Sequence, residues 1–377
     1  MAVNVHAEFG QELKRKLWLL DDSFTFLNHG AFGAAMKPLL IEAGQWQAYA
    51  ETQPLRFFDR ELFVLIVDLL RTIAPLLRCT HQELLPCVNA TTALNAVIQS
   101  LDVTHKQKIV TFSTTYRSVK MMLEHRARQT GATLDIIDIQ YPASTDELMA
   151  KLDAHTTSET ALVVFDHITS NTAMLMPVKE LTQLCKAKGI KVLIDGAHSI
   201  LTAPLDLSSL GADFVAMNAH KWLSTPKGCA FLYANSSHEH LRPAVISHGY
   251  DSGRLSSFIW DGCRDYSALL TAPSAAFIWS QLDADRARNY MRTLLLESIE
   301  VLTTHWEVSY DVPLDMTANS MALVPLPTGI GAVTGGASTS DQAALLQDIL
   351  YYKYKIEVPI KNIDGKLYVR ISSHVYN

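Results

Sequence analysis

Apolar positions along the chain recur with two periods, and the way these alternate predicts the architecture. Short apolar runs fall at residues 107–112, 134–139, 161–165, 191–195, 214–217 and 228–233. The first three are each followed by a stretch of helical spacing, reaching Arg126, then at 145–153, then at about 177–188. Strands alternating with helices predict an α/β fold with a mostly parallel sheet covered on both faces. Ligands in such sheets bind beyond the C-terminal ends of the strands. Asn89 to Thr92, Tyr116, Ser170, Asp195 and Lys221 all fall at or just past such ends.

Flanking this region, residues 10–20 read as a short amphipathic helix and 61–77 as a surface helix. After about residue 265 the pattern changes. A long helical stretch runs from Pro273 to Leu302, followed by a strand near Met321 to Val324 and a helix from Ser340 to Tyr352. Asn362-Ile363-Asp364-Gly365 is a hairpin signal, and the last strand carries Arg370. The glycine-rich piece 329–336 lacks the spacing of a nucleotide fingerprint and reads as a mobile loop or turn. The predicted organisation is an arm at 1–20, a large domain at 21–264 and a smaller α+β domain at 265–377, with the N-terminal segment packing on the latter.

Composition narrows the class. Of 377 residues 48% are hydrophobic and 19% charged, with a formal net charge of -6, so neither nucleic acid nor an anionic membrane is an expected partner. The start lacks the apolar core of a signal peptide and no stretch is long enough to span a membrane, which makes the cytoplasm the default location. Cys79, Cys87, Cys185, Cys229 and Cys263 are scattered, so no structural metal and no disulfide is expected.

Each strand-end residue has a plain and a chemical reading. Lys221 follows a buried run; a lysine held there loses solvation of its ammonium form and can act as an amine nucleophile, although an ordinary exposed lysine is the commoner case. Asn89-Ala90-Thr91-Thr92 opens an apolar helix, which suits either a threonine N-cap or a bound phosphate. Tyr116 sits in a strand-to-helix loop, where it either packs on the surface or stacks on a planar ring. Asp195 ends a buried run and either caps the next turn or meets a positive group. Asn28-His29-Gly30 in a tight loop is either a turn or a group brought to a ligand, and Arg370 is either a surface residue or a carboxylate clamp.

Together an anion-binding turn, a stacking aromatic, a buried aspartate and a strand-end lysine describe a site for pyridoxal phosphate. The chain resembles the class V aminotransferase family of fold type I enzymes through Asp195, His198, His220 and Lys221. Within it, the chain resembles the isopenicillin N epimerase branch, which also contains hercynylcysteine sulfoxide lyases. That resemblance runs nearly end to end. It rests on Leu27-Asn28-His29-Gly30-Ala31-Phe32-Gly33, on Asn89-Ala90-Thr91-Thr92, on 218–228 and 260–267, and on Arg370-Ile371-Ser372 with Val375-Tyr376-Asn377.

The resemblance implies that Lys221 anchors the cofactor and moves the substrate Cα proton, Asp195 pairs with the pyridinium, His198 approaches the ring oxygen and Tyr116 stacks. It places the phosphate at Thr91, Thr92, Asn218 and His220, the substrate carboxylate on Arg370, and Asn28, His29 and Gly30 over the substrate. It also implies a homodimer with active sites at the interface. Two positions depart from the family. Ser170 stands where an asparagine is common, which passes the ring-oxygen contact to Thr169 or Asn171 or removes it. Cys263 stands where a threonine commonly reaches the neighbouring subunit's phosphate.

The family's reactions share these residues. Persulfide desulfuration needs a thiol before the carboxylate-binding arginine, and no cysteine follows Cys263. β-Elimination needs none. The leading expectation is a carbon–sulfur lyase acting at the β-carbon of a cysteine-derived amino acid. The runner-up is an epimerase, for which Tyr116 or His29 is the candidate acid on the opposite face. An aminotransferase and a catalytically silent relative follow. Arg56 or Arg60 is either a contact for a second substrate carboxylate or half of an ordinary surface ion pair.

Overall fold

A computed structural model describes residues 8–203, 205–332 and 339–377. Its strands, in chain order, are β1 (Thr25–Phe26), β2 (Leu84–Cys87), β3 (Lys108–Phe112), β4 (Thr133–Ile137), β5 (Thr160–Asp166), β6 (Lys191–Asp195), β7 (Phe214–Asn218), β8 (Ala230–Ala234), β9 (Met321–Pro325), β10 (Ile356–Glu357), β11 (Ile360–Ile363) and β12 (Lys366–Ser372). Seven of them form the central sheet in the order β2-β8-β7-β6-β5-β3-β4. The pairs from β4 to β7 are parallel, because helices Arg117–Thr130, Thr145–His155 and Val178–Ala187 provide the crossovers.

β8 instead runs antiparallel to β7, since the intervening segment 219–229 holds no helix that could carry the chain back. That segment carries Lys221. Successive side chains of the sheet enter opposite cores: Val163, Phe165, Val192 and Ile194 join one, Leu162, Val164 and Leu193 the other. Each fully buried side chain of this kind stabilises the fold by roughly 1.5–3 kcal/mol.

The C-terminal part has its own antiparallel sheet in the order β11-β12-β9, with helices Ala284–Trp306 and Thr339–Tyr354 and a separate core. The hairpin turns at Asp364 (φ 50) and Gly365 (φ 81), where left-handed backbone favours this pair of residues. The long helical stretch predicted from 273 is broken into Ala272–Leu282 and Ala284–Trp306. Asp283 causes the break: at φ 61 its carboxylate accepts from the Asp285 and Arg286 amides and caps the second helix. The glycine-rich piece begins as a short 3₁₀ turn, Thr328–Ala332, and its remainder lies outside the described residues.

The N-terminal helix is Gln11–Leu17. β1 pairs in parallel with β10, and the Gly10 amide donates to the Val375 carbonyl at 2.8 Å, so the start of the chain lies against its C-terminal part. All five cysteines are free. Among the described residues no helix is long and apolar enough to cross a membrane.

Candidate active site

Lys221 lies in the segment that leaves the buried end of β7, and burial of its amine pushes its pKa down to about 8. Its Nζ is 3.3 Å from His198 Nε2. The indole N–H of Trp222 donates to His198 Nδ1 at 3.2 Å, and an indole has no acceptor to offer. Burial holds the imidazole neutral. With Nδ1 accepting, the single ring proton must therefore sit on Nε2, which faces Lys221. A second N–H aimed at the amine favours the neutral amine over the ammonium.

Asp195 ends β6 and accepts from the Ala197 amide at 3.0 Å, so its turn-capping role is present. It also lies within electrostatic reach of Lys221. Directly opposite it in the β5–β6 register stands Asp166, a residue sequence reasoning passed over. Adjacent strands are about 4.8 Å apart, and two charges at that spacing repel by roughly 3 kcal/mol at an effective dielectric near 20. Only one carboxylate ionises comfortably. Burial raises both carboxyls, Asp166 well above the carboxylate range with the Asp195 charge adding to the push, whereas on Asp195 the Ala197 amide and Lys221 work against the rise. Asp166 is the protonated member. It also bonds the Thr115 hydroxyl and the Tyr116 amide, tying the ring-stacking candidate to the aspartate pair. Its Oδ2 has no partner among the described residues.

The expected phosphate end is built around helix Ala90–Ser100. The cap is Asn89 rather than a threonine, its Oδ1 accepting from the Thr92 amide at 2.8 Å and the Thr92 hydroxyl at 3.1 Å. Asn218 Oδ1 accepts from the Ala90 amide at 2.8 Å, joining the end of β7 to the helix start. Among the described residues the Thr91 amide alone of the first four lacks a partner, and it stands where an anion is favoured. His220 Nδ1 donates to the Cys229 carbonyl at 3.2 Å, and burial lowers the ring's pKa to about 4. Its Nε2 is thus an acceptor until an anion draws a second proton to it.

Arg370 marks the other end. It is 3% exposed, it donates to the Ser170 carbonyl and, at 3.1 Å, to Asn28 Oδ1, and its Nε has no partner among the described residues. Asn28 in turn donates to Glu357 Oε1 at 2.9 Å. A buried guanidinium bonded only to neutral oxygens is an uncompensated cation, and burial lowers its pKa to about 10. The Tyr116 ring is 41% exposed and close enough to feel that charge. Thr169 is committed to its own loop, bonding Thr172 Oγ1 at 2.6 Å and receiving the Met174 amide at 2.8 Å. Asn171 is exposed, and Ser170 is half-buried with its carbonyl on Arg370.

His29 and Gly30, expected over the substrate, are placed elsewhere. His29 is 1% exposed, with Nδ1 2.7 Å from the Tyr376 hydroxyl and Nε2 2.9 Å from the Lys221 carbonyl. Both nitrogens are thus occupied, one of them by the lysine's own backbone. Gly30 presses against Met321 and Ser372, where an added Cβ would fall 2.2 Å from Met321 Sδ. Packing against the C-terminal segment draws this turn inward, and only Asn28 reaches the site. Arg56 pairs with Glu61 at 3.3 Å, the ordinary fate weighed for it.

These residues fit pyridoxal phosphate on their own evidence: an open amide at a helix start, a lysine with a lowered pKa, a carboxylate pair with one orphaned oxygen, and an unpaired buried guanidinium. Comparisons with known proteins agree. The family model for aminotransferase class-V matches residues 67–252. A protein of Arabidopsis thaliana described as a probable chloroplastic L-cysteine desulfhydrase is 31% identical over 95% of this chain and 80% of its own length. Isopenicillin N epimerase of Streptomyces clavuligerus is 30% identical over 97% of this chain and 94% of its own. The solved complex of the cystine C-S lyase C-DES with cysteine persulfide superposes with a TM-score of 0.76 over 94% of both chains at 19% identity, a likeness of fold. The chain belongs to the class V aminotransferase family, with the α/β architecture of fold type I pyridoxal phosphate enzymes.

Proposed function

We infer that the protein is a pyridoxal phosphate-dependent carbon–sulfur lyase that cleaves the β-carbon–sulfur bond of a cysteine-derived amino acid. The observation that carries this reading is the pairing of a lysine poised near neutrality with a buried, uncompensated arginine, one to move a proton and one to hold a carboxylate. Pyridoxal phosphate supplies, when bound, an aldehyde for the lysine and a ring that accepts the electron pair left at Cα. The open Thr91 amide, with Asn218 and His220, would hold its phosphate, and Thr92, whose amide and hydroxyl are given to Asn89, would have to release that bond to join them. Asp195 would face its ring nitrogen and His198 would offer Nε2–H to its ring oxygen. Tyr116 would stack on it, with Ser170 and Asn171 beside it.

Arg370 fixes the substrate carboxylate and Asn28 orients that guanidinium. Lys221 Nζ takes the Cα proton; the Cβ–S bond breaks with its electrons going to sulfur, which leaves as a thiol after protonation. Water then converts the three-carbon remainder to pyruvate and ammonia. The lyase is favoured over the epimerase by the position of His29, whose nitrogens are taken up by Tyr376 and the Lys221 carbonyl, which leaves Tyr116 as the epimerase's one named candidate acid. The similarity to a desulfhydrase supports the same choice.

The reading includes a homodimer, supported by apolar side chains left open beside one groove, among them Ile41, Val64 and Phe277. It also includes a large domain at 21–264 with a smaller one at 265–377, and a cytoplasmic location, which free thiols suit. Incubation of the holoenzyme with L-cysteine, cystine, S-alkylcysteines and hercynylcysteine sulfoxide tests it. Equimolar pyruvate and ammonia are expected from at least one. Inversion or exchange at Cα without release of either product sinks the lyase reading in favour of the epimerase.

A further inference from the structure

We propose that His29 and Tyr376 are positioning residues for Lys221, gripping its backbone carbonyl rather than its amine. The hydrogen bonds leave one arrangement. A carbonyl only accepts, so the His29 nitrogen 2.9 Å from Lys221 O must carry the proton, and that nitrogen is Nε2. The other nitrogen of a neutral ring is then a bare acceptor, and the Tyr376 hydroxyl at 2.7 Å donates to it. Burial keeps both groups neutral, drawing the His29 pKa down to about 3 and raising the Tyr376 phenol. The chain of donors is Tyr376 O–H to His29 Nδ1, then His29 Nε2–H to the Lys221 carbonyl.

The surroundings hold this arrangement in place. His374 stacks on His29 with ring centroids 4.1 Å apart and lies 4.2 Å from the Tyr376 ring, while Trp222 packs on His29 at 4.8 Å. Both nitrogens of His374 lack partners among the described residues, so it fills space without competing for the carbonyl. Gly33, at φ 67, brings the same turn so close that an added Cβ would lie 2.3 Å from the His220 carbonyl oxygen and 2.6 Å from Lys221 Cα. Lys227 Nζ closes the contact by donating to the Gly33 carbonyl at 3.1 Å.

Tyr376 lies on the segment that directly continues β12, the strand bearing Arg370. One stretch of chain therefore carries the carboxylate clamp and the support of the lysine's backbone. The consequence, which rests on the reading of Lys221 as the proton-moving base, is that the arc swept by Nζ is referenced to the clamp that holds the substrate. Misplacement of a reacting group by about 1 Å costs on the order of 10²-fold in rate.

Three variants of the full chain test this. His29→Phe keeps a stacked ring and removes the donor, His29→Gln restores an N–H, and Tyr376→Phe removes only the hydroxyl that donates to Nδ1. In the holoenzyme, His29→Phe is expected to lower kcat about 10- to 100-fold with KM within roughly twofold and to shift the pH midpoint of the lysine-bound cofactor's visible band, and His29→Gln to recover most of both. Equal impairment of His29→Gln and His29→Phe, or an unchanged His29→Phe, overturns the proposal. Nitrogen-15 NMR of the histidine rings in the cofactor-free chain gives a measure independent of the lyase reading. Wild type and Tyr376→Phe should both show His29 protonated on Nε2 alone, because the Lys221 carbonyl that demands that proton is present in each. A wild-type ring protonated on Nδ1 overturns the proposal even if the lyase activity is present, whereas the expected tautomer in a protein that releases no pyruvate supports the clamp and rejects only the lyase.

Discussion

The two sides of Lys221 are built by opposite rules. In front lie Asp195, Asp166 and Arg370, buried ionisable groups with shifted pKa values, of which Asp166 and Arg370 each keep an unpartnered atom. Behind lie His29, Tyr376 and His374, equally buried but neutral, packed ring on ring. Unpaired buried charge is costly until a partner completes it; the neutral aromatic group is held by ring packing, even with both His374 nitrogens unpartnered among the described residues. Two histidines make the contrast concrete. His198 presents its Nε2–H to the lysine's amine and His29 presents its own to the lysine's carbonyl, so the same residue type serves chemistry on one side and anchorage on the other.

The strongest blow to this contrast comes from the front. Lys221→Ala is expected to lower pyruvate release by more than about 10³-fold, since it removes both the cofactor's amine and the Cα base. The aspartate pair divides next. Asp195→Asn should cost roughly 10²- to 10³-fold in kcat, as loss of a preorganised charge does, while Asp166→Asn, which replaces a carboxyl already neutral, should stay within about fivefold. Reversal of that order in steady-state assays would show that the proton sits on Asp195. Arg370→Gln removes a charge-assisted bond worth about 1.5–3 kcal/mol, and kcat/KM should fall by roughly 10- to 100-fold, mostly through KM.

The pH dependence is gentler. Only the neutral amine condenses with an aldehyde, and the Lys221 pKa of about 8 lies below that of an ordinary lysine. The rate at which the cofactor-free protein develops its visible band should therefore rise with pH and level off above about 8. A rise that continues toward 10 would mean that burial does not act on the amine as described. Gly33→Ala is expected to cost about 1–3 kcal/mol in urea unfolding through its left-handed backbone and crowded Cβ and, because that Cβ would press on Lys221 Cα, to lower kcat as well.

The sequence was legible where chemistry follows local pattern. Runs of alternating elements predicted the parallel sheet, and the residues at its strand ends converge on one end of it because strand direction decides where side chains emerge. Asp166 was legible too, by the rule that singled out Asp195: an acid closing an apolar run, here 161–165. His29 was not. Its role depends on Tyr376, 347 positions away in sequence, threading behind Lys221, and no local periodicity carries that contact. The antiparallel return of β8 was visible only as a missing crossover helix between 219 and 229.

Asn28 separates an open clamp from a closed one by a single atom. Its carbonyl oxygen faces Arg370 and its amide nitrogen faces Glu357. Deamidation there would exchange that nitrogen for oxygen, giving the guanidinium a carboxylate from within the chain and setting two negative groups against each other at Glu357. The protein would then carry its own competitor for the substrate's carboxylate, and ageing of one side chain would appear as inhibition that added substrate only slowly overcomes.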